Sequence, residues 1–310
     1  MNFLLIISGL ILLILGGNWL LKSAVALSLK LDIPKIIIGM TVVSFATSAP
    51  ELIVSINAAL NGASDLALGN VIGSNITNLG LVLGITLLLG GMEVQKSFYT
   101  TDWPIMMIAS VLLYFSLVGD KVITQNEGII LFSFLIIFLI FLLRFQKTAV
   151  VDEFTEDDEP LPLYKIVLFL VIGALGLWGG SELLIKGATT LAKDFGVTDR
   201  VIAVTVVSIG TSVPELAASI IAIVKKEKAI SLGNLIGSNI FNILAVLGIT
   251  SMITPIPVVV ERLLTGDLFW MLGISFIILP LVFIPKGYRL NWKDGCLLLM
   301  AYFVFIYNTL

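Results

Sequence analysis

The sequence predicts an all-α integral membrane protein: ten transmembrane helices arranged as two inverted five-helix repeats. Three observations carry that expectation. The 310 residues are 58% hydrophobic and 13% charged, roughly half the charged fraction of an ordinary soluble domain, with a mean hydropathy of +1.09. The apolar residues gather in runs of about 18 or more, long enough to cross a bilayer as a helix. Two segments of the first half recur in the second at one constant offset.

Taken in order, the apolar runs place spans at 3–21, 33–60, 66–90, 104–118, 128–144, 163–186, 200–224, 229–253, 267–284 and 293–309. The first begins MNFLLIISGLILLILGG, without the basic flank of a cleavable signal, and reads as a retained helix. The second and seventh each carry a Pro-Glu pair, and the third and eighth a row of asparagines. The fourth, fifth, ninth and tenth are plain apolar runs. Between the fifth and sixth lies the one stretch of soluble-loop character, 145–162, with Asp152, Glu153, Glu156, Asp157, Asp158 and Glu159; it reads as a solvated linker. The chain thus divides into a repeat at 1–144, the linker at 145–162 and a second repeat at 163–310.

The duplication is explicit. Thr41–Ile56, TVVSFATSAPELIVSI, matches Thr205–Ile220 at 11 of 16 positions, and Leu68–Thr86 matches Leu232–Thr250 at 14 of 19, both offset by 164. Gly16–Gly17 and Gly179–Gly180 form a weaker echo. With five spans per half, equivalent helices cross in opposite directions, an arrangement that places a site at the midplane between the halves. Loops after odd-numbered spans hold 13 of the 18 Lys and Arg residues. The positive-inside rule then puts both termini outside and the acidic linker in the cytoplasm.

Composition also excludes chemistry. With no histidine, Ser–His and Cys–His nucleophile pairs and HExxH zinc sites are absent, and the lone Cys296 builds neither a disulfide framework nor a thiolate cluster. A net charge of −3 without a basic stripe gives nucleic acid no footprint. Nothing points to a cofactor or a protein partner.

Glu51 and Glu215 stand near the centres of their spans, at equivalent repeat positions. An ionised carboxylate there costs about 2.5 kcal/mol or more, and neither repeat motif contains a lysine or arginine to pair with it. Cation binding is the expected reason. Pro50 and Pro214 precede the two acids and are expected to free the carbonyls of Ala46 and Gly210 inside the helix. Thr47 and Ser48 lie four and three residues before Glu51, on one face of a continuous helix, and Thr211 and Ser212 repeat the pattern before Glu215. Carboxylate, hydroxyl and carbonyl oxygens suit sodium, calcium or magnesium. Asn70, Ser74 and Asn78 form a stripe at four-residue spacing, as do Asn234, Ser238 and Asn242. For Asn70, Asn75, Asn234 and Asn239, hydrogen bonding between helices explains the residues as well as ion contact does.

Ala46-Thr47-Ser48-Ala49-Pro50-Glu51 and Gly69-Asn70 to Asn78, with counterparts at 210–215 and 233–242, resemble the paired motifs of the cation/calcium exchanger superfamily, specifically prokaryotic sodium/calcium antiporters. The likeness covers essentially the whole chain. It implies that Glu51 and Glu215 ligate calcium with the backbone carbonyls of Thr47 and Thr211. It implies sodium contacts from Ser44, Thr47, Ser48 and Ser74, and from Ser208, Thr211, Ser212 and Ser238, with Asn78 completing a central position. Asn242 stands where structurally studied archaeal relatives have an aspartate, so this site has two carboxylates and no third. The implied activity is sodium-for-calcium exchange by alternating access in a prokaryotic plasma membrane, with the ions as cargo and the first and sixth spans as moving gate helices. A proton-coupled divalent-cation exchanger is the alternative on the same fold. A channel needs weak binding and usually carbonyl rings, and an intramembrane hydrolase needs a Ser–Lys or Asp–Asp pair that no span supplies.

Overall fold

The computed structural model describes residues 2–145, 161–195, 210–284 and 287–309. The linker expected at 145–162 therefore lies almost wholly outside the described residues, as do Ser208 and the first part of the span expected at 200–224. The helices are α1 (Asn2–Leu31), α2 (Lys35–Thr47), α3 (Ala49–Leu60), α4 (Ser64–Leu89), α5 (Phe98–Val118), α6 (Gln125–Phe145), α7 (Leu163–Asp194), α8 (Val213–Val224), α9 (Lys228–Ile253), α10 (Leu263–Phe283) and α11 (Trp292–Thr309). Among the described residues, seven of these are long and apolar enough to cross a membrane, and the bent pair α2–α3 makes an eighth. The remaining two expected spans correspond to α8, twelve residues long, and α11, eighteen. The protein is a multi-pass membrane protein. Its outer helices show rows of exposed Leu, Ile and Phe, such as Phe3, Leu4, Ile7, Leu10, Ile11 and Ile14 on α1, a surface that only an apolar surrounding tolerates.

The layering follows from side-chain size and polarity. α4 and α9, which carry the asparagine rows, are buried along most of their length and form the centre, and the longer apolar helices surround them. Close approach is possible where glycine replaces a side chain. A Cβ on Gly16 would stand 2.6 Å from the Leu177 amide nitrogen, and one on Gly173 would stand 2.6 Å from that of Leu20. Glycines thus let α1 and α7 touch backbone to backbone.

Equivalent positions take equivalent structure. α3 and α8 are both twelve residues long, and the first α-helical sections of α4 (Ser64–Thr77) and α9 (Lys228–Phe241) both fourteen. π-Helical turns begin at Asn78 and at Asn242, and two more open α5 (Phe98–Asp102) and α10 (Leu263–Asp267). Four two-residue strands follow the same logic: β1 (Met92–Glu93), β2 (Val122–Ile123), β3 (Ile256–Pro257) and β4 (Arg289–Leu290). Antiparallel β1–β4 pairs Met92 with Leu290, and antiparallel β2–β3 pairs Ile123 with Ile256. Each ladder joins one half of the chain to the other.

One local expectation is corrected. Pro50 does not sit inside a continuous helix. α2 ends at Thr47, Ser48 adopts φ −87° and ψ 3°, and α3 begins at Ala49, bent by 44°. Pro50 lies in the first turn of α3, where a missing amide removes no intrahelical bond and the fixed φ suits a helix start. Ser212 takes φ −89° and ψ 4° before α8, so the second half starts its helix in the same way.

Candidate cation site

The break at Ser48 decides what the acids do. It places Glu51 in the first turn of α3, and the equivalent break places Glu215 in the first turn of α8. The unpaired amides of a helix N-terminus carry partial positive charge, which offsets part of the cost of burying a carboxylate. Both residues are fully buried, and Ser48, three residues before Glu51, reaches the Glu215 carboxylate. The Thr47, Ser48 and Ser212 hydroxyls, expected on a continuous helix face, instead flank the breaks.

Bonds across the site come in matched pairs related by the 164-residue offset. Thr47 Oγ1 lies 3.4 Å from Ser238 Oγ, and Thr211 Oγ1 lies 3.3 Å from Ser74 Oγ. Asn70 donates to Ser55 Oγ at 3.0 Å, and Asn234 donates to Ser219 Oγ at 3.4 Å. Asn242 donates to Asn75 Oδ1 at 3.1 Å, and Asn78 donates to Asn239 Oδ1 at 3.4 Å. The first and third pairs cross from one half of the chain to the other, so neither half completes the site alone. One match fails: Ser48 Oγ donates to Glu215 Oε1 at 3.3 Å, whereas the buried Ser212 hydroxyl has no partner among the described residues.

The residues singled out in the sequence are brought together with two exceptions. Ser44 is buried, but its hydroxyl is tied to backbone, donating to Gly39 O at 2.8 Å and lying 3.0 Å from Asn234 O. Ser208 falls outside the described residues. Thr47 also reaches Asn234 Oδ1 at 3.2 Å. α3 packs against the π-turn that begins at Asn242, and α8 against the one that begins at Asn78, so each acid's helix adjoins the opposite half's asparagine. Hydrogen bonding between helices, one of the two roles expected for Asn75 and Asn239, is found; the contacts of Met106 and Met271 were not anticipated.

The oxygens left over define the chemistry. Glu51 Oε1 and Oε2, Glu215 Oε2, Asn78 Oδ1 and Asn242 Oδ1 are all buried and have no hydrogen-bond donor among the described residues. Buried polar atoms are ordinarily bonded, and a carboxylate without a donor is costly. Five acceptors with no protein donor, drawn from both halves, form a set of hard ligands that suits a hard cation.

Comparison with known proteins gives the family. The family model described as sodium/calcium exchanger protein matches residues 1–144 and 165–310. The chain is 38% identical to the putative antiporter CaxA of Alkalimonas amylolytica over 310 residues, 97% of this chain and 96% of that protein. It is 30% identical to the sodium/calcium exchanger MaX1 of Methanosarcina acetivorans, over 98% of this chain and 97% of that one. Among solved structures, the sodium-calcium exchanger NCX_Mj superposes with a TM-score of 0.84 at 26% identity, covering 100% of this chain and 99% of that chain.

Proposed function

Because this chain belongs to the sodium/calcium exchanger family, we propose that it exchanges sodium for calcium by alternating access at a midplane site formed by two inverted five-helix repeats. The single observation that carries this reading is the set of five donor-less acceptor oxygens on Glu51, Glu215, Asn78 and Asn242. Glu51 and Glu215 are the principal calcium ligands, with the Thr47 and Thr211 carbonyls beside them. The hydroxyls of Thr47, Ser48, Ser74, Thr211, Ser212 and Ser238 complete the sodium positions, along with Ser44 and Ser208. The matched bonds between the halves and the opposed β ladders support the ten-helix inverted arrangement. Both termini outside and the acidic 145–162 linker in the cytoplasm follow from the lysine and arginine distribution.

Coupling follows from charge. Two adjacent buried carboxylates repel when no cation is present, and an uncompensated pair strongly resists passage through an apolar barrier. One calcium ion or several sodium ions neutralise the pair, so the loaded forms interconvert and the empty form does not. α1 and α7, packed on each other through glycine, are the elements proposed to move past the centre.

The test is calcium-45 uptake into proteoliposomes. Sodium-loaded vesicles diluted into sodium-free buffer should accumulate calcium, and Glu51→Gln and Glu215→Gln should not. Wild-type uptake by either variant would defeat the site. Uptake driven by a pH gradient without sodium would reassign the coupling ion to the proton.

A further inference from the structure

The amides around the site form a ladder whose direction is set from one end. Asn75 donates its Nδ2 to the backbone carbonyl of Asn239 at 3.2 Å and approaches Met271 Sδ at 3.8 Å. A backbone carbonyl only accepts, so the Asn75 nitrogen must point there and its oxygen must point the other way. That oxygen receives the Asn242 Nδ2. Asn242 therefore has its nitrogen committed, and its Oδ1 is left without a donor. The other half repeats the amide-to-amide link without the backbone carbonyl: Asn239 Nδ2 lies 3.8 Å from Met106 Sδ, Asn239 Oδ1 receives Asn78 Nδ2, and Asn78 Oδ1 is left over.

From this geometry we infer that Asn75 and Asn239 are positioning residues that make Asn242 and Asn78 present oxygen, and never nitrogen, to the transported cation. This rests on the cation-site reading above. The physical need is specific. Three carboxylate oxygens without donors, both on Glu51 and one on Glu215, attract any N–H group nearby, and charge-assisted bonds of that kind are strong. A side-chain amide free to turn end for end would offer its NH2 to Glu51 or Glu215, filling the place of the cation with an internal donor. The ladder removes that option by occupying each NH2 with a neighbouring amide oxygen. Asparagine can thus serve at the centre in place of an aspartate, which has two oxygens and no wrong end.

The inference is tested by a double-mutant cycle on the full chain in detergent, with calcium affinity read by calorimetry and folding checked by gel filtration. Asn75→Leu in the wild-type background should weaken calcium binding roughly tenfold or more, the range expected when a hydrogen bond to a charged group is exchanged for a competing one. In the Asn242→Asp background the same Asn75→Leu change should cause no loss of affinity, because an aspartate needs no orienting and is relieved of an opposing amide oxygen. Equal losses in both backgrounds would mark Asn75 as a packing residue and overturn the inference, as would no loss in either. If Asn75→Leu does not fold, Asn239→Leu measured with and without Asn78→Asp decides by the same criteria. Glu51→Gln serves as a separate control. If it binds calcium as tightly as wild type, the underlying site reading fails; if it does not bind and the cycle shows no coupling, only the ladder fails.

Discussion

Replacing Glu51 with glutamine isolates the charge at the centre of the molecule while keeping side-chain shape. Both Glu51 oxygens are buried with no donor among the described residues, whereas Glu215 has one oxygen held by Ser48. Of the two acids, Glu51 thus leaves more carboxylate oxygen free of protein donors for a cation. Removing one partner from a buried ionic arrangement costs about 3–5 kcal/mol, or roughly two to four orders of magnitude in affinity. Coulomb energy scales with ion charge, so the loss per sodium ion should be about half that for calcium in free energy. The cation-free protein should move the other way: Glu51→Gln relieves repulsion with Glu215 and should melt at a higher temperature than cation-free wild type. Calorimetric titration with each ion, together with melting curves in chelator, reads all three quantities. Calcium affinity within tenfold of wild type, or a lower cation-free melting temperature, would refute the argument.

Other parts of the fold give independent tests. A Cβ on Gly237 would lie 2.6 Å from Met40 Cα and O, so Gly237→Ala should force α2 and α9 apart and cost about 1–3 kcal/mol, visible as a lower melting temperature. Lys35 and Glu227 form a 2.9 Å ion pair with side chains only 6% and 15% exposed. Lys35→Met alone should destabilise by about 3–5 kcal/mol, and the double replacement of both residues by Met should recover most of that in the same melting assay. Lys121 and Glu261 form a 3.0 Å pair at 50% and 76% exposure, so Lys121→Ala should change stability by less than about 1 kcal/mol.

What the sequence made legible is what repetition and polarity encode. Two glutamates in apolar runs, echoed at a constant offset, pointed to the centre of the proposed site because a carboxylate in lipid is costly without a cation. The hydroxyls of Thr47 and Ser48 were found by adjacency. The break at Ser48 was not, because a proline marks both a kinked helix and a helix start, and only the backbone angles distinguish them. The π-turns at Asn78 and Asn242 were also hidden, since they differ from an α-turn by the register of a hydrogen bond and no residue type specifies that. The ladder through Asn75, Asn239, Met106 and Met271 depends on contacts between residues over 130 positions apart, which local spacing does not reveal. Helix-joining bonds of Asn75 and Asn239 were expected from polarity alone, but which amide end each presents to its neighbour depends on those distant partners.

The bonds that pass between the two halves also bear on how the molecule is made. Thr47, Ser74, Asn75 and Asn78 wait for Ser238, Thr211, Asn242 and Asn239, which leave the ribosome well over a hundred residues later. At about 5–20 residues per second, the earlier helices spend on the order of ten seconds in or beside the membrane before their counterparts arrive. During that interval their amides and acid need shelter from acyl chains, from water held at the insertion machinery or from one another. Slowing synthesis of the second half should therefore leave a nascent first half that insertion factors retain rather than release.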